Sequence, residues 1–225
     1  MTHTKPKLIY FLFSVILLFT SCKNANKSID FELQDGDLLF QDTGTDAIDN
    51  AIKSVTATAF AKNYSHVGIA MQTQGNWFVL EAIPEKGITK TPIQDFLNRN
   101  KNDQNKSRTT VARLDENYGQ YIPKAIEYGL KRLGLPYDKV FLWDDTSYYC
   151  SELVYKMFSY QDLKNNPTPF KNQPMTFKDS TGKTATGWID YYKQLNQPIP
   201  EGDIGTNPNL MAGSPHVTFI HDYSK

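Results

Sequence analysis

Ser147-Tyr148-Tyr149-Cys150-Ser151-Glu152-Leu153-Val154-Tyr155 places one of the chain's two cysteines where an apolar helix over residues 151–160 is expected to begin. A thiol at a helix N-terminus sits near the positive end of the helix dipole, which favours the thiolate. Cys150 is therefore a candidate nucleophile. The competing reading is an inert buried thiol, because free cysteine packs as a small hydrophobe.

The chain around this stretch has 225 residues, enough for one sizeable domain. Hydrophobic residues make up 40% and aromatics 13%, which supports a packed core rather than a disordered chain. Lysine plus arginine (24) equals aspartate plus glutamate (24), so there is no basic footprint for nucleic acid, and no nucleic-acid partner is expected.

The start of the chain reads as a targeting segment. Lys5 and Lys7 precede an apolar run over 8–19 broken only by Ser14, followed by Thr20 and Ser21. The run is too short for a membrane span. Phe19-Thr20-Ser21-Cys22 resembles a bacterial lipobox, in which the cysteine becomes the lipidated N-terminus. The expected organisation is a lipoprotein signal peptide over 1–21, a polar tether over 22–30 and a hydrolase domain over 31–225. Such a protein would be exported and held at the cell envelope by a lipid on Cys22; plain secretion with cleavage nearby is the alternative. With Cys22 consumed by lipid, Cys150 has no disulfide partner in an oxidising compartment. A lone thiol there points to chemistry more than to packing.

Asp35-Gly36-Asp37-Leu38-Leu39-Phe40 reads as a turn and a short buried strand, and residues 45–60 as a helix capped by Thr45 or Asp46. Tyr64-Ser65-His66-Val67-Gly68-Ile69-Ala70-Met71 and Trp77-Phe78-Val79-Leu80-Glu81-Ala82 flank a turn-forming stretch and form a β-hairpin. A Thr73-Gln74 loop would put His66 directly opposite Glu81, with Cβ atoms about 4.5–5.5 Å apart. A Gln74-Gly75 loop would make them diagonal neighbours. Either way strand alternation keeps the two on one face. A carboxylate beside an imidazole in a partly buried site orients the ring and favours its protonated form.

Further along, 84–91 reads as extended or turn, 93–97 as a short helix, 98–107 as an exposed loop and 109–114 as a strand. A helix is expected over 118–133, with Pro123 in its first turn and Gly134 ending it. A short helix over 187–195, an irregular arm over 206–215 and a strand over 216–223 complete the chain. Glu201-Gly202-Asp203-Ile204 with Ser214-Pro215-His216-Val217 echoes the Gly36-Asp37 and His66 stretches, which makes His216 the rival base.

Leu133-Gly134-Leu135-Pro136-Tyr137 followed by Cys150-Ser151-Glu152-Leu153-Val154-Tyr155 resembles the cysteine segment of NlpC/P60 papain-like hydrolases, where a tyrosine precedes a Cys-Ser-Gly-Leu-Val run. Gly36-Asp37-Leu38-Leu39-Phe40, the His66 stretch and Val79-Leu80-Glu81-Ala82 look like that family's histidine half. Here the histidine half comes first, an order similar to the circularly permuted branch, the YiiX/YebB-like (YaeF-type) amidases. The resemblance implies an α+β, permuted papain-like fold: an antiparallel sheet or partial barrel packed against helices, including the one carrying the cysteine. It places the nucleophile at Cys150, the base at His66, the imidazole-orienting group at Glu81 and the oxyanion-linked tyrosine at Tyr137. Glu152 departs from the family by replacing a glycine, and Asp144 and Asp145 have no assigned role.

The expected activity is amide hydrolysis by a thiol mechanism on an amide- or acyl-containing substrate, such as a cell-wall peptide or a lipid. A lipid-directed acyltransferase or hydrolase with the same residues is the first rival, favoured by apolar pocket residues beside Cys150. A non-catalytic envelope binding module is the second. No cofactor is expected, and the scattered histidines lack metal-ligand spacing.

Overall fold

The computed structural model describes residue 1 and residues 32–43, 47–56, 62–161 and 168–225. The expected signal peptide after its first residue, the whole tether with Cys22, and both candidate caps of the first helix lie outside the described residues. In chain order the structure has β1 (Leu38–Gln41), α1 (Ala47–Val55), β2 (His66–Thr73), β3 (Asn76–Ile83), β4 (Gly87–Pro92), α2 (Ile93–Arg99) and β5 (Thr109–Leu114). A 3₁₀ turn (Glu116–Tyr121) then leads into α3 (Ile122–Leu130) and α4 (Cys150–Ser159). The C-terminal part carries β6 (Gln173–Pro174), α5 (Thr186–Leu195), β7 (Ile204–Gly205), α6 (Pro208–Ala212) and β8 (Val217–Asp222).

Six strands form one antiparallel sheet in the order β4-β3-β2-β1-β5-β8, and β6 pairs with β7 in a small ribbon. The central hairpin turns at Gln74 (φ 51°) and Gly75 (φ 75°). Two consecutive positive-φ residues match the right-handed twist of the flanking strands, which is why a Gln-Gly pair closes this hairpin. Helix α4 packs against β2 and β3 with α3 alongside. Leu153, Val154, Met157 and Phe158 of α4 join Val67, Ile69, Leu80 and Ala82 of the hairpin in the main core. This is the α+β arrangement expected from the sequence, with the cysteine helix on the sheet.

A second apolar cluster joins α1 to α5. Ala51, Phe177, Trp188 and Tyr192 are buried there, and the Trp188 indole N–H donates to the Ala51 carbonyl at 3.1 Å. Two elements differ from the sequence reading, the helix over 118–133 and the arm over 206–215. The helix expected over 118–133 is a 3₁₀ turn followed by α3. Pro123 cannot donate to a carbonyl four residues back, so regular α-helix starts only around it, and the Asp115 side chain caps the tighter turn before it. The segment from Pro84, expected as extended or turn, is a turn leading into β4. The arm over 206–215 contains a helical turn, α6, capped by the Asn207 side chain on the Leu210 amide at 2.8 Å.

Candidate active site

His66 opens β2, beside Gln41 of β1. The Gln74-Gly75 turn sets Ile69 against Leu80, so the next register position puts Gly68 opposite Glu81. Glu81 therefore reaches His66 diagonally, the second of the two registers compatible with the sequence. Gly68 makes room for this reach. A Cβ there would lie 2.5 Å from a Val79 methyl and 3.2 Å from the Glu81 Cβ.

The Glu81 carboxylate is fully buried, and its Oε2 lies 2.6 Å from His66 Nε2. Thr91 donates its hydroxyl to Oε1, and the Arg99 guanidinium donates to both oxygens at 3.1 and 2.8 Å. Arg99 also donates to the Gln41 side-chain carbonyl at 3.1 Å, and Gln41 is anchored to Thr109 and the Phe96 carbonyl. Burial pushes Glu81 up, but hydrogen bonds and charge from His66 and Arg99 outweigh it and hold the pKa at about 2. Burial pushes His66 down, and its interactions with Cys150 and Glu81 overcome this to raise it to about 9. At neutral pH the buried ring is an imidazolium between the Glu81 carboxylate and the Cys150 sulfur.

Cys150 is the first residue of α4 and is 5% exposed. Its sulfur neighbours the His66 ring and, with Glu81, favours the ring's protonated form. With Nε2 engaged by Glu81, the ring nitrogen left for the thiol is Nδ1. The turn before Cys150 is closed by Glu152, whose Oε2 accepts the Tyr149 amide at 3.4 Å and whose Oε1 meets Lys156 Nζ at 2.8 Å. Burial outweighs that cation and lifts Glu152 to about 8. The Cys150 N–H, at the head of the helix, has no intrahelical acceptor and is left for a ligand. Tyr137 bridges to Tyr148 through the backbone, held by Tyr148 N–H donating to Pro136 and Asp138 N–H donating to Tyr148, both at 3.2 Å. Its ring lines the same cleft as Cys150, and burial plus the neighbouring Cys150 push its hydroxyl well above the ordinary value.

The cleft is open to solvent. Its apolar wall comes from Ile52 and Val55 of α1 and from Phe141, Met175, Phe177 and Trp188. The facing wall is the C-terminal arm, Gly205 to Pro208. Thr206 is stapled to the first turn of α4: its amide donates to the Tyr149 hydroxyl at 3.1 Å, and its carbonyl accepts the Ser151 hydroxyl at 3.3 Å. Gly205 has to be small, since a Cβ would lie 2.4 Å from the Met175 sulfur and 2.9 Å from the Tyr149 oxygen.

The structure thus brings His66, Glu81, Cys150 and Tyr137 together. His216 is elsewhere: its Nδ1 pairs with Asp115 at 2.7 Å and its ring packs edge-on to Tyr118, pinning β8 to the 3₁₀ turn. Asp144 and Asp145 are structural. Asp144 accepts the Thr146 amide at 2.8 Å, and Asp145 pairs with Lys156 at 2.9 Å. Arg99, Gln41 and the arm wall were not read from the sequence. Arg99 closes α2 just where the chain turns polar, and the arm carries no periodicity to mark it as part of a site.

The fold and this constellation define a papain-like domain in permuted order. The chain belongs to the permuted papain-like amidase family, YaeF/YiiX, C92, whose model matches residues 32–221. The YiiX protein of Escherichia coli (strain K12), itself uncharacterised, is 28% identical over 143 residues, 63% of this chain. The match spans 65% of that relative, just under two thirds of its length. The crystal structure of yiiX from Escherichia coli O157:H7, described as a metalloprotein, superposes with a TM-score of 0.68 at 22% identity. That superposition covers 85% of this chain and 98% of the other, and establishes the shared fold.

Proposed function

We propose that this protein is a cysteine hydrolase that cuts an amide bond, with Cys150 as nucleophile, His66 as proton carrier, Glu81 as the group that orients the ring, and Tyr137 at the oxyanion side. The observation that carries the reading is the convergence of three groups at a cleft: Cys150 lines it, its sulfur neighbours the His66 ring, and that ring's Nε2 lies 2.6 Å from Glu81. The thiol's proton resides on the His66 imidazolium, and the Cys150 sulfur attacks the carbonyl carbon. The resulting oxyanion is met by the Cys150 N–H and the Tyr137 hydroxyl. Collapse expels the amine, which takes the proton from His66. Water, deprotonated by His66, then attacks the thioester and releases the acid, leaving the proton on His66 and the Cys150 sulfur free as at the start. Glu81 does not take the proton; held low by Arg99, it stays a carboxylate and keeps Nε2 protonated.

The apolar wall of the cleft favours an acyl-chain substrate over a polar cell-wall peptide. Ile52, Val55, Met175, Phe177 and Trp188 offer no charge to a peptide, and the polar lining, such as Thr56, Ser65 and Gln173, is uncharged too. An amide or ester of an apolar acid is therefore the reading the walls support. Lipidation of Cys22 would hold such an enzyme at the membrane where that substrate resides.

The relative described as a metalloprotein raises the question of a metal here, and these residues do not fit one. His66 Nε2 is held by Glu81, both Glu81 oxygens are occupied, and the Arg99 cation would oppose a metal ion. Among the described residues no group of three or more His, Cys, Asp or Glu side chains is placed to hold one.

The test is alkylation of Cys150 by iodoacetamide, read by intact mass. Fast labelling near neutral pH that slows at least tenfold in His66→Ala is expected. Slow labelling at the same rate in both proteins overturns the reading.

A further inference from the structure

Phe141 has a backbone conformation that L-residues with bulky side chains rarely adopt, with φ at +58°. Such strain persists only where the surroundings over-determine it, and here they do so from several sides. The Asp138 carboxylate, 2% exposed, accepts the amides of Val140 at 2.8 Å and Phe141 at 3.0 Å. Two consecutive tyrosines of α5 hold the same loop from outside. Tyr191 donates to the Lys139 carbonyl at 2.7 Å, and Tyr192 to the Val140 carbonyl at 3.0 Å. A buried carboxylate and two tyrosine hydroxyls thus hold one short loop in place.

The Phe141 ring is what this arrangement delivers. It packs at 5.3 Å from the ring of Tyr149, the residue before Cys150, and edge-on at 5.5 Å to Trp188 of α5. It remains partly exposed on the wall of the cleft that Cys150 also lines. A loop needed only for packing could place a glycine or asparagine at a left-handed position without strain. The ring itself is therefore the part that the loop is built to present.

We propose that Phe141 is the specificity-determining residue of the cleft, its ring forming the surface against which the apolar acyl group of the substrate packs. The inference rests on the reading of Cys150 as an acyl-accepting nucleophile and names the class of group transferred: an extended, uncharged acyl chain. Each methylene buried against the wall adds about 0.8 kcal/mol, roughly a fourfold gain in kcat/KM per carbon while contact lasts.

The experiment uses the full chain and a series of p-nitrophenyl esters from acetyl to dodecanoyl. The wild-type protein is expected to show kcat/KM rising with chain length at least as far as octanoyl. Phe141→Gly removes the ring while suiting the left-handed backbone, and Phe141→Leu restores apolar bulk. The octanoyl-to-acetyl ratio should fall at least tenfold in Phe141→Gly and recover at least partly in Phe141→Leu. A uniform fall across all chain lengths in Phe141→Gly, or a wild-type profile flat with chain length, overturns the proposal. In either case rapid iodoacetamide labelling of wild-type Cys150 would leave the nucleophile assignment standing. Loss of that labelling together with no turnover of any ester removes both.

Discussion

Glu81 meets His66 along the diagonal of the central hairpin, at 2.6 Å, across a gap that only Gly68 leaves open. The ion pair therefore depends on a residue with no side chain. Gly68→Ala would drive a methyl to 2.5 Å from Val79 and to 3.2 Å from the Glu81 Cβ, inside a sheet whose neighbours are fixed by pairing on both sides. Overpacking of this kind destabilises by about 1–3 kcal/mol. The variant should unfold at lower denaturant concentration and label Cys150 several-fold more slowly, because the Glu81 oxygen moves with its Cβ. Denaturant unfolding and alkylation kinetics measure the two effects separately.

Charge at this pair makes stability depend on pH in a defined sense. His66 is raised from 6.5 to about 9 by its partners, so its contribution is complete below about pH 6.5 and disappears as pH rises through 9. Glu81 is lowered from 4.5 to about 2, so its contribution is complete above about pH 4.5 and disappears as pH falls toward 2. The pair contributes most between these limits. In thermal melts across pH, the difference in Tm between wild type and His66→Gln should be largest between pH 4.5 and 6.5 and shrink steadily toward pH 9. A difference that grew with alkalinity would reverse the sign and refute the assignment.

Arg99 separates orientation from charge in the same cluster. Glu81→Gln keeps an acceptor for the imidazole but removes its counter-charge and leaves Arg99 without a carboxylate. Cys150 labelling at pH 7 should slow by about tenfold or more. Arg99→Ala leaves the carboxylate in place with Thr91 and His66 still bonded, so the loss should be smaller. Its signature is an acid limb of the labelling profile displaced to higher pH, since the guanidinium is one of the groups holding Glu81 low. Equal losses in the two variants with no displacement would show that Arg99 only packs.

How much of this was readable follows from the range of each signal. The hairpin and the same-face relation of His66 and Glu81 follow from a period of two, which survives uncertainty in the turn; only the exact register needed the structure. The Cys150 helix announces itself through Leu153, Val154, Met157 and Phe158 at helical spacing. Arg99 could not be read, because its partner is distant in sequence and its neighbours, Asn98 and Asn100, look like loop. The arm over 206–215 reads as irregular from the sequence, which leaves its role open. Its contacts with the site are backbone-mediated, Thr206 to Tyr149 and Ser151, and such contacts leave no side-chain pattern.

Asn209 makes the arm's contribution measurable. It is 1% exposed, and its amide mimics a strand neighbour: Oδ1 accepts the Tyr64 amide at 2.7 Å, and Nδ2 donates to the Tyr64 carbonyl at 3.0 Å and to the Thr56 hydroxyl at 2.8 Å. Tyr64 is two residues before His66, so this side chain ties the C-terminal arm to the approach of the histidine strand and to the end of α1. Asn209→Ala removes three bonds and leaves two backbone groups of Tyr64 buried without partners, a loss of about 2–4 kcal/mol. Tm should fall by roughly 5–10 °C. Asn209→Asp preserves the acceptor for the Tyr64 amide but faces its carbonyl with an anion, so it should be no better than alanine. If the arm only shields the core, labelling of Cys150 at 20 °C below each variant's Tm will match wild type. If the arm holds the histidine strand in place, as the Tyr64 contacts require, labelling under those conditions will be several-fold slower while far-ultraviolet circular dichroism stays the same.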